Sequence, residues 1–187
     1  MNKIKYTNLE TERLILRKFE ESDAETFHEY RTNPQVALYQ GEGWVDYTLE
    51  QASKFVQEQM NFDPGIPDTW FQIAVELKDG GKLIGDLAIH TLPQDSNQIE
   101  IGFTLNPLYQ KKGFGIEAVR CLLGYLFTVL NIHRVVAISD VRNSSSIRLI
   151  EKIGMRKERY FIKSAWNKGE YTDEYLFALL KEEWNDT

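Results

Sequence analysis

The sequence contains very little cysteine and histidine. Its 187 residues include one cysteine and three histidines, which excludes an internal disulfide and leaves no spacing typical of metal ligands. We therefore expect no bound metal. A lone cysteine also fits a reducing compartment, where disulfides are rare.

Long apolar runs and an excess of basic residues are missing as well. No run approaches the roughly 20 apolar residues that cross a bilayer, and residues 1–6 lack the apolar core of a signal peptide. We therefore expect a cytoplasmic protein without a membrane partner. With 22 Lys and Arg against 28 Asp and Glu, the net charge is −6. Because nucleic-acid binding calls for a basic surface, we expect no nucleic-acid partner.

The rest of the composition is that of a globular protein. Hydrophobic residues make up 42% of the chain and charged residues 27%, and both values are ordinary. The length suits one domain with a substantial core, and no repeat, low-complexity tract or linker divides it. The sequence predicts a single domain over residues 1–187.

The most informative stretch lies in the middle of the chain. A strand pattern ends at the turn pair Asn106-Pro107, a glycine-bearing hexapeptide follows at residues 110–115, and apolar residues then recur with helical period over residues 116–130. Glycines let successive N–H groups converge, and a helix N-terminus adds the positive end of its dipole. The pattern predicts an anion cradle suited to phosphate, with Lys111 and Lys112 beside it.

Two other interpretations of this stretch stay open. Gly113-x-Gly115-x-x-Ala118 also fits the dinucleotide-binding fingerprint, and Asp140 closes the next apolar run, where a ribose-binding acid would lie. That fingerprint normally emerges directly from a strand near the start of a domain. Its position in the middle of this chain therefore argues against a nucleotide-binding fold. The second interpretation is a glycine turn that only caps an ordinary helix.

A family resemblance rests on the same residues. The pattern Gln110-x-x-Gly113-x-Gly115 between a strand and a helix resembles the acyl-CoA pyrophosphate loop of the GNAT superfamily of N-acetyltransferases. The resemblance extends to the opening segment at residues 11–17 and to residues 143–155, which look like the branch that contains ribosomal-protein N-terminal acetyltransferases. It covers most of the chain, as far as Trp184.

Apolar periodicity and turn signals predict the other elements. Ser22 or Asp23 is expected to cap a first helix that Asn33-Pro34 ends, and Thr48-x-x-Gln51 has capping-box spacing for a second. This order of elements predicts an α/β (α+β) protein with a mixed sheet and helices on both faces. The resemblance implies a mostly antiparallel, twisted GNAT-like sheet with a splayed central pair of parallel strands. Strands are expected at residues 14–17, 71–77, 83–90, 99–105, 134–139, 160–166 and 171–180.

The resemblance implies acetyl-CoA as cosubstrate and no metal. By position, the pyrophosphate would rest on the hexapeptide and the helix start, and the pantetheine arm would pair with the backbone of the central strand. The helix after the next strand would contribute contacts from its first turn and from a lysine near its end. The implied cofactor-binding residues are Phe103, Thr104, Leu105, Gln110, Lys111, Lys112, Gly113, Phe114, Gly115, Ile116, Asn143, Ser146 and Lys152.

The resemblance also implies direct attack of a neutral amine on the thioester in a ternary complex. It places Ser146 where a hydroxyl can protonate the leaving thiolate and Asn143 beside the cofactor or a water, although both residue types are also ordinary helix caps. Glu100, on the central strand, is the first choice for the general base; an ion-paired strand residue is the alternative. The tyrosine that many members carry on this helix is Ile150 here, and a glutamate of some ribosomal-protein acetyltransferases is Ala165.

The acceptor site is predicted from residue types. Tyr39, Trp44 and Trp70 could line an amine pocket, and His90 could contact the substrate or serve as an alternative base. The expected activity is acetyl transfer to a primary amine, with a protein N-terminus slightly favoured by the resemblance. Alternatives are a polyamine, an aminoglycoside-like amine, or a non-catalytic CoA-binding sensor. Pairing of family members through their C-terminal strands makes a homodimer a further expectation.

Overall fold

The computed structural model describes residues 6–41, 44 and 46–185. One sheet has the strand order β1-β2-β3-β4-β5-β6-β8-β7, and β5 and β6 form the one parallel pair between its described strands. This mixed, mostly antiparallel sheet confirms the predicted fold. The dinucleotide-binding alternative is wrong, because that fold requires a mostly parallel sheet. The strands are β1 Leu9–Glu10, β2 Leu14–Arg17, β3 Trp70–Leu77, β4 Leu83–Thr91, β5 Gln98–Leu105, β6 Arg134–Asp140, β7 Arg156–Asn167 and β8 Glu170–Leu180.

Helices cover both faces of the sheet, as predicted. Side chains alternate along each strand, so that Ile73 and Val75 belong to the core beneath α4 and α5, whereas Ala74 belongs to the core beneath α1 and α3. We call the two sides of the sheet the α4/α5 face and the α1/α3 face. The helices are α1 Ala24–Thr32, α2 Pro34–Ala37, α3 Leu49–Met60, α4 Phe114–Gly124, which continues into a π-helical turn at Tyr125–Val129, and α5 Ser144–Lys152.

Short-range signals in the sequence set several element boundaries. The Thr48 hydroxyl accepts from the N–H of Gln51 at 3.2 Å, and the Gln51 side chain accepts from the N–H of Thr48 at 2.8 Å. The predicted capping box of α3 is therefore confirmed. Gly154 ends α5 with a φ of 94°, and Gly169 closes the β7–β8 hairpin with a φ of 84°. Both glycines occupy left-handed positions that other residues adopt only with strain.

Asp23 does not cap α1 as its position predicts. Its carboxylate accepts two hydrogen bonds from the Arg17 guanidinium, at 2.6 and 2.9 Å, and one from the N–H of Glu20. Arg17 also pairs with Glu76 on β3 at 2.6 Å. Asp23 and Arg17 are both buried. The helix signal is overridden because a buried guanidinium requires carboxylate partners.

The parallel strands β5 and β6 are paired over only part of their length. Their register joins Gln98–Glu100 to Arg134–Val136. Beyond that point β5 stays paired with β4 as far as Leu105, and β6 stays paired with β8 as far as Asp140. The two strands therefore diverge, and a gap between their facing edges begins after Glu100. The predicted splay is confirmed.

Two surface features bear on partners. Among the described residues, no helix combines the length and the apolar character that crossing a bilayer requires. At the edge of the sheet, β7 leaves Tyr160, Ile162 and Trp166 exposed. The homodimer through the C-terminal strands stays a prediction.

We predict that Asp23→Ala lowers the free energy of unfolding by about 3 kcal/mol, because Arg17 is left buried without one of its carboxylates. Loss of a helix cap alone would cost only about 1 kcal/mol. Denaturant titration measures the change, with Asp79→Ala in the exposed β3–β4 turn as control. A loss near the smaller figure would mean that Asp23 acts merely as a cap.

Candidate active site

The hexapeptide predicted to hold pyrophosphate forms the turn into α4. Gly113 has a φ of 86°, and the first helical hydrogen bond runs from the N–H of Glu117 to the carbonyl of Gly113 at 3.1 Å. The N–H groups of Phe114, Gly115 and Ile116 precede this bond and have no helical carbonyl to bind. A helix start of this kind favours a bound anion.

The loop is fixed between the end of β5 and the side of α5. A Cβ added at Gly115 would lie 2.7 Å from Cδ1 of Leu149 and 3.1 Å from Cδ1 of Leu105, so this close approach depends on glycine. The side-chain amide of Gln110 donates to the carbonyl of Leu105 at 3.0 Å. Gln110 thus ties the loop to the strand that borders the gap.

Arg13, far from the loop in sequence, braces it from the start of β2. Its guanidinium donates to the carbonyl of Lys112 at 3.2 Å, pairs with Glu117 at 2.6 Å and lies 4.3 Å from the ring centroid of Phe114. Glu117 also accepts from the Thr11 hydroxyl at 2.5 Å. Arg13 stands in the opening segment of the resemblance, but no local pattern pairs it with Glu117.

The lysines predicted to meet phosphate lie at the surface. Lys111, with a φ of 61°, and Lys112 are exposed beside the helix start, and the Lys112 ammonium lies 5.4 Å from the ring centroid of Tyr109. Lys152 is exposed in the last turn of α5. These side chains can supply positive charge to an anion without being fixed to any protein carboxylate described here.

A cleft of about 470 Å³ opens beside the gap between β5 and β6. Its lining comes from both diverging strands, from the start of α5 and from the α1/α3 face. On that face Gln72, Ala88 and Gly102 are cross-strand neighbours and form a row, which we call the floor row. The predicted site residues that line the cleft are Tyr39, Trp44, Trp70, Phe103, Thr104, Asn143 and Ser146.

Asn143 and Ser146 form the N-terminal cap of α5. The Asn143 side-chain oxygen accepts from the N–H of Ser146 at 3.1 Å, which is the capping role expected from the sequence. Within the described part of the chain, the Ser146 hydroxyl has no hydrogen-bond partner, and the residue lines the cleft. Ile150, one turn further on, is fully buried. Ser146 therefore brings a hydroxyl to the cleft, whereas the side chain at position 150 brings none.

Glu100 and His90 lie in the row next to the floor row, outside the cleft lining. Trp70, His90 and Glu100 are successive cross-strand neighbours. His90 stacks on Trp70 with 4.8 Å between ring centroids; its Nδ1 lies 3.6 Å from Glu100 Oε2, and its Nε2 lies 3.4 Å from Asp68 Oδ1. Burial raises the pKa of Glu100 above its usual value, and the nearby His90 offsets part of that rise.

A buried ion pair closes the back of the cleft. The Arg31 guanidinium binds Asp86 at 2.5 Å and donates to the Gln40 side chain at 2.5 Å, and it lies 4.3 Å from the ring centroid of Trp44. The Tyr30 hydroxyl donates to Asp86 at 2.6 Å. Burial raises the pKa of Asp86, although Arg31 and Tyr30 oppose that rise. This network orders Trp44, and nothing local in the sequence joins Arg31 to Asp86.

Glu174 on β8 adds negative charge to the cleft. Among the cleft carboxylates, Asp86 pairs with Arg31 and Asp140 pairs with Arg142 at 2.7 Å. Glu174 Oε2 accepts from the Ser164 hydroxyl at 2.9 Å, and no cation pairs with it among the described residues. It is therefore the carboxylate of the lining that is best able to attract a cation from solution.

Metal-binding side chains are not clustered in the described residues. No group of three or more His, Cys, Asp or Glu side chains there is arranged to hold a metal ion. His90, in the row next to the floor row, is stacked on Trp70 between two carboxylates.

A splayed parallel pair, with a helix start suited to an anion at the end of one strand, is what we expect of a CoA-dependent acyltransferase. A family model of the GNAT acetyltransferase domain matches residues 13–156. The chain is 36% identical over 178 residues to an uncharacterized N-acetyltransferase, YnaD, of Bacillus subtilis (strain 168). This alignment covers 95% of this chain and 99% of that protein. The chain belongs to the GNAT family and is an N-acetyltransferase. That residues 1–187 form one such domain stays a prediction.

Solved structures agree with this assignment. A GNAT-family acetyltransferase from Bacillus anthracis is 35% identical with a TM-score of 0.84, covering 95% of this chain and 100% of the other. At 22% identity, the ribosomal-protein-S5-alanine acetyltransferase from Vibrio fischeri has a TM-score of 0.79 over 96% and 100% of the two chains. Spermidine N-acetyltransferase from Vibrio cholerae, solved with CoA and spermine, has a TM-score of 0.76 at 22% identity over 92% and 98%. These last two share the fold.

We predict that Gly113→Val weakens acetyl-CoA binding by about tenfold or more, because a side chain would block the approach of phosphate to the helix start. Gly80→Val, in the β3–β4 turn, is the matched control, since the two glycines have φ values of 86° and 82°. Both substitutions should lower the melting temperature through the same backbone strain, and a Cβ at position 113 would in addition lie 3.2 Å from the Arg13 guanidinium, whereas one at position 80 meets nothing within 4 Å. Titration calorimetry with acetyl-CoA, at a temperature where both variants are folded, separates the effects. Equal affinities would contradict the phosphate site.

Proposed function

We propose that the chain transfers the acetyl group of acetyl-CoA to a primary amine that binds in the cleft. The observation that carries this proposal is the gap between β5 and β6. It begins after Glu100 and is bordered by the phosphate-binding loop at the end of β5 and by the start of α5. The cleft opens beside it. A thioester seated in the gap would meet an amine held in the cleft.

The facing edges of the diverging strands would hold the cosubstrate. Past Glu100, the edge of β5 that faces β6 has no strand partner among the described residues, so the backbone of Phe103, Thr104 and Leu105 can pair with the pantetheine arm as it would with an added strand. The N–H groups that begin α4 would take the pyrophosphate, with Lys111 and Lys112 beside them. Asn143 would contact the arm, and Lys152 would meet an adenosine phosphate.

Glu100 and Ser146 would divide the proton transfers. Glu100 is the last residue of β5 that is paired with β6, and its raised pKa suits a base that takes a proton from an ammonium group. The neutral amine attacks the thioester carbonyl, and a backbone N–H on the free edge of β5 stabilises the oxyanion. When the carbon–sulfur bond breaks, the Ser146 hydroxyl donates its proton to the leaving thiolate and is reprotonated from the amine nitrogen through solvent. His90 is the alternative base.

The lining of the cleft favours a cationic acceptor. Glu174 offers uncompensated negative charge, and Tyr39, Trp44 and Trp70 offer aromatic surfaces on which an amine-bearing chain can rest. A protein N-terminus and a polyamine both meet this description, and relatives of the same fold are named for each. A protein N-terminus remains the first candidate. The polyamine is the second, favoured by the unpaired Glu174. A CoA-binding sensor would need neither Glu174 nor the aromatic lining.

We predict that a primary amine accelerates the release of free CoA thiol from acetyl-CoA, and that Glu100→Gln lowers kcat/KM by about 10²-fold. Spermidine and a peptide that begins with alanine are the two test acceptors. Because the carboxylate must be ionised, the wild-type rate should rise with pH through the elevated pKa of Glu100, and this limb should vanish in the variant. Glu151→Gln, exposed on α5, is the control. A full rate in Glu100→Gln at every pH would remove Glu100 as the base.

A further inference from the structure

Gln72 is a buried polar residue of the floor row whose side chain has no described partner. It lies on β3, is 7% exposed and lines the cleft. Its side-chain oxygen is buried and has no hydrogen-bond partner in the part of the chain that the structure describes. Buried amide oxygens are nearly always hydrogen-bonded, and this one gains a partner from the cleft when the side chain turns its amide toward the space that the residue lines.

A second glutamine nearby shows what a structural amide looks like in this fold. Gln59, near the end of α3, accepts from the backbone N–H of Gln72 at 2.8 Å and donates to the carbonyl of Trp70 at 3.3 Å. Both ends of its amide are used to hold α3 against β3. The backbone of Gln72 is therefore fixed by Gln59, while its own side chain contributes no such bond.

The space in front of Gln72 is kept open by small residues. Ala88 and Gly102 complete the floor row. A Cβ at Gly102 would lie 3.5 Å from the Cβ of Ala88 and 3.8 Å from Cζ3 of Trp70, so the ring of Trp70 borders the row on one side. A ligand chain can therefore lie flat along the floor row, and Gln72 stands at the end of the row that is farthest from β5.

The distance along this row separates Gln72 from the reacting centre. From β3 to β5 there are two inter-strand spacings of about 4.8 Å, or roughly 10 Å in all. The proposed site of the thioester lies beyond β5, in the gap. A donor bound by Gln72 is therefore a different group from the amine that attacks the thioester.

We propose that Gln72 is a specificity residue of the acceptor site, whose side-chain carbonyl accepts a hydrogen bond from a second nitrogen donor of the acceptor. This inference rests on the proposed acetyl transfer at the same cleft. The donor is an N–H or an ammonium group separated from the reacting amine by several bonds. The far amine of a polyamine and the third backbone N–H of an extended peptide, which lies roughly 10 Å from the N-terminal amine, both supply this chemistry.

Gln72→Met tests this role, because methionine keeps the length of the side chain and removes the amide. Each acceptor is compared with an analogue that lacks only the distant donor: spermidine with N-butyl-1,3-diaminopropane, and trialanine N-methylamide with trialanine methyl ester. With whichever acceptor the wild type uses, the variant should raise KM about tenfold for the compound that carries the distant donor. The KM of the analogue without this donor and the Kd of acetyl-CoA should stay unchanged. The pair of compounds whose KM values respond to the substitution shows whether the acceptor is a polyamine or a peptide.

A measurement without any acceptor keeps this test separate from the proposed activity. Gln59→Met should lower the melting temperature, because it breaks two hydrogen bonds to the backbone. Gln72→Met should leave the melting temperature unchanged or raise it. A loss in melting temperature in Gln72→Met as large as that in Gln59→Met, or an unchanged KM for the acceptor that carries the distant donor, would overturn the role of Gln72. Thiol release that no amine accelerates in the wild type would instead overturn the proposed function.

Discussion

The separation of β5 from β6 after Glu100 is the constraint on which the site depends. Each strand is held by its outer neighbour, β5 by β4 as far as Leu105 and β6 by β8 as far as Asp140, and both ladders continue beyond the point at which β5 and β6 part. Two strand edges that have no strand partner among the described residues then face one another. Unpaired backbone groups require a partner, and an extended ligand with amide groups of its own meets that requirement.

The rest of the site is built around this gap. Gly115 lets the start of α4 approach both Leu105, at the end of β5, and Leu149 on α5, so that one close contact joins the proposed phosphate-binding loop to the two elements beside the gap. The Asn143 cap directs the first turn of α5 toward the cleft. On the other face, the pair of Arg31 and Asp86 fixes the back wall. The proposed cosubstrate site and the proposed acceptor site therefore share β5.

Local chemistry explains what the sequence could predict. The capping box at Thr48 and the two strands of the hairpin that Gly169 closes were predicted, and the left-handed glycine at position 154 likewise depends on residues a few positions apart. The same holds for the turn into α4 and the cap at Asn143. The splayed pair was predicted from the resemblance, since no periodicity indicates where two parallel strands stop pairing.

Long-range pairing explains what the sequence could not predict. Arg13 and Glu117, and likewise Arg31 and Asp86, come from distant parts of the chain, and neither pair has a local signal. The burial of Arg17 draws Asp23 away from the helix that its position suggests it should cap. Gln72 has no pattern that distinguishes it from Gln59. Its significance appears only when cross-strand register places it beside Ala88 and Gly102.

Hydrogen exchange of the backbone amides of β5, with and without acetyl-CoA, tests the central claim most directly. In the free protein, amides of residues 101–105 that are not bonded to β4 should exchange rapidly, because the gap leaves them without a partner. Saturating acetyl-CoA should slow the exchange of these amides by at least the factor by which it slows exchange of the amides at the start of α4. Protection confined to residues 114–116, with none in residues 101–105, would contradict a cosubstrate that lies between β5 and β6.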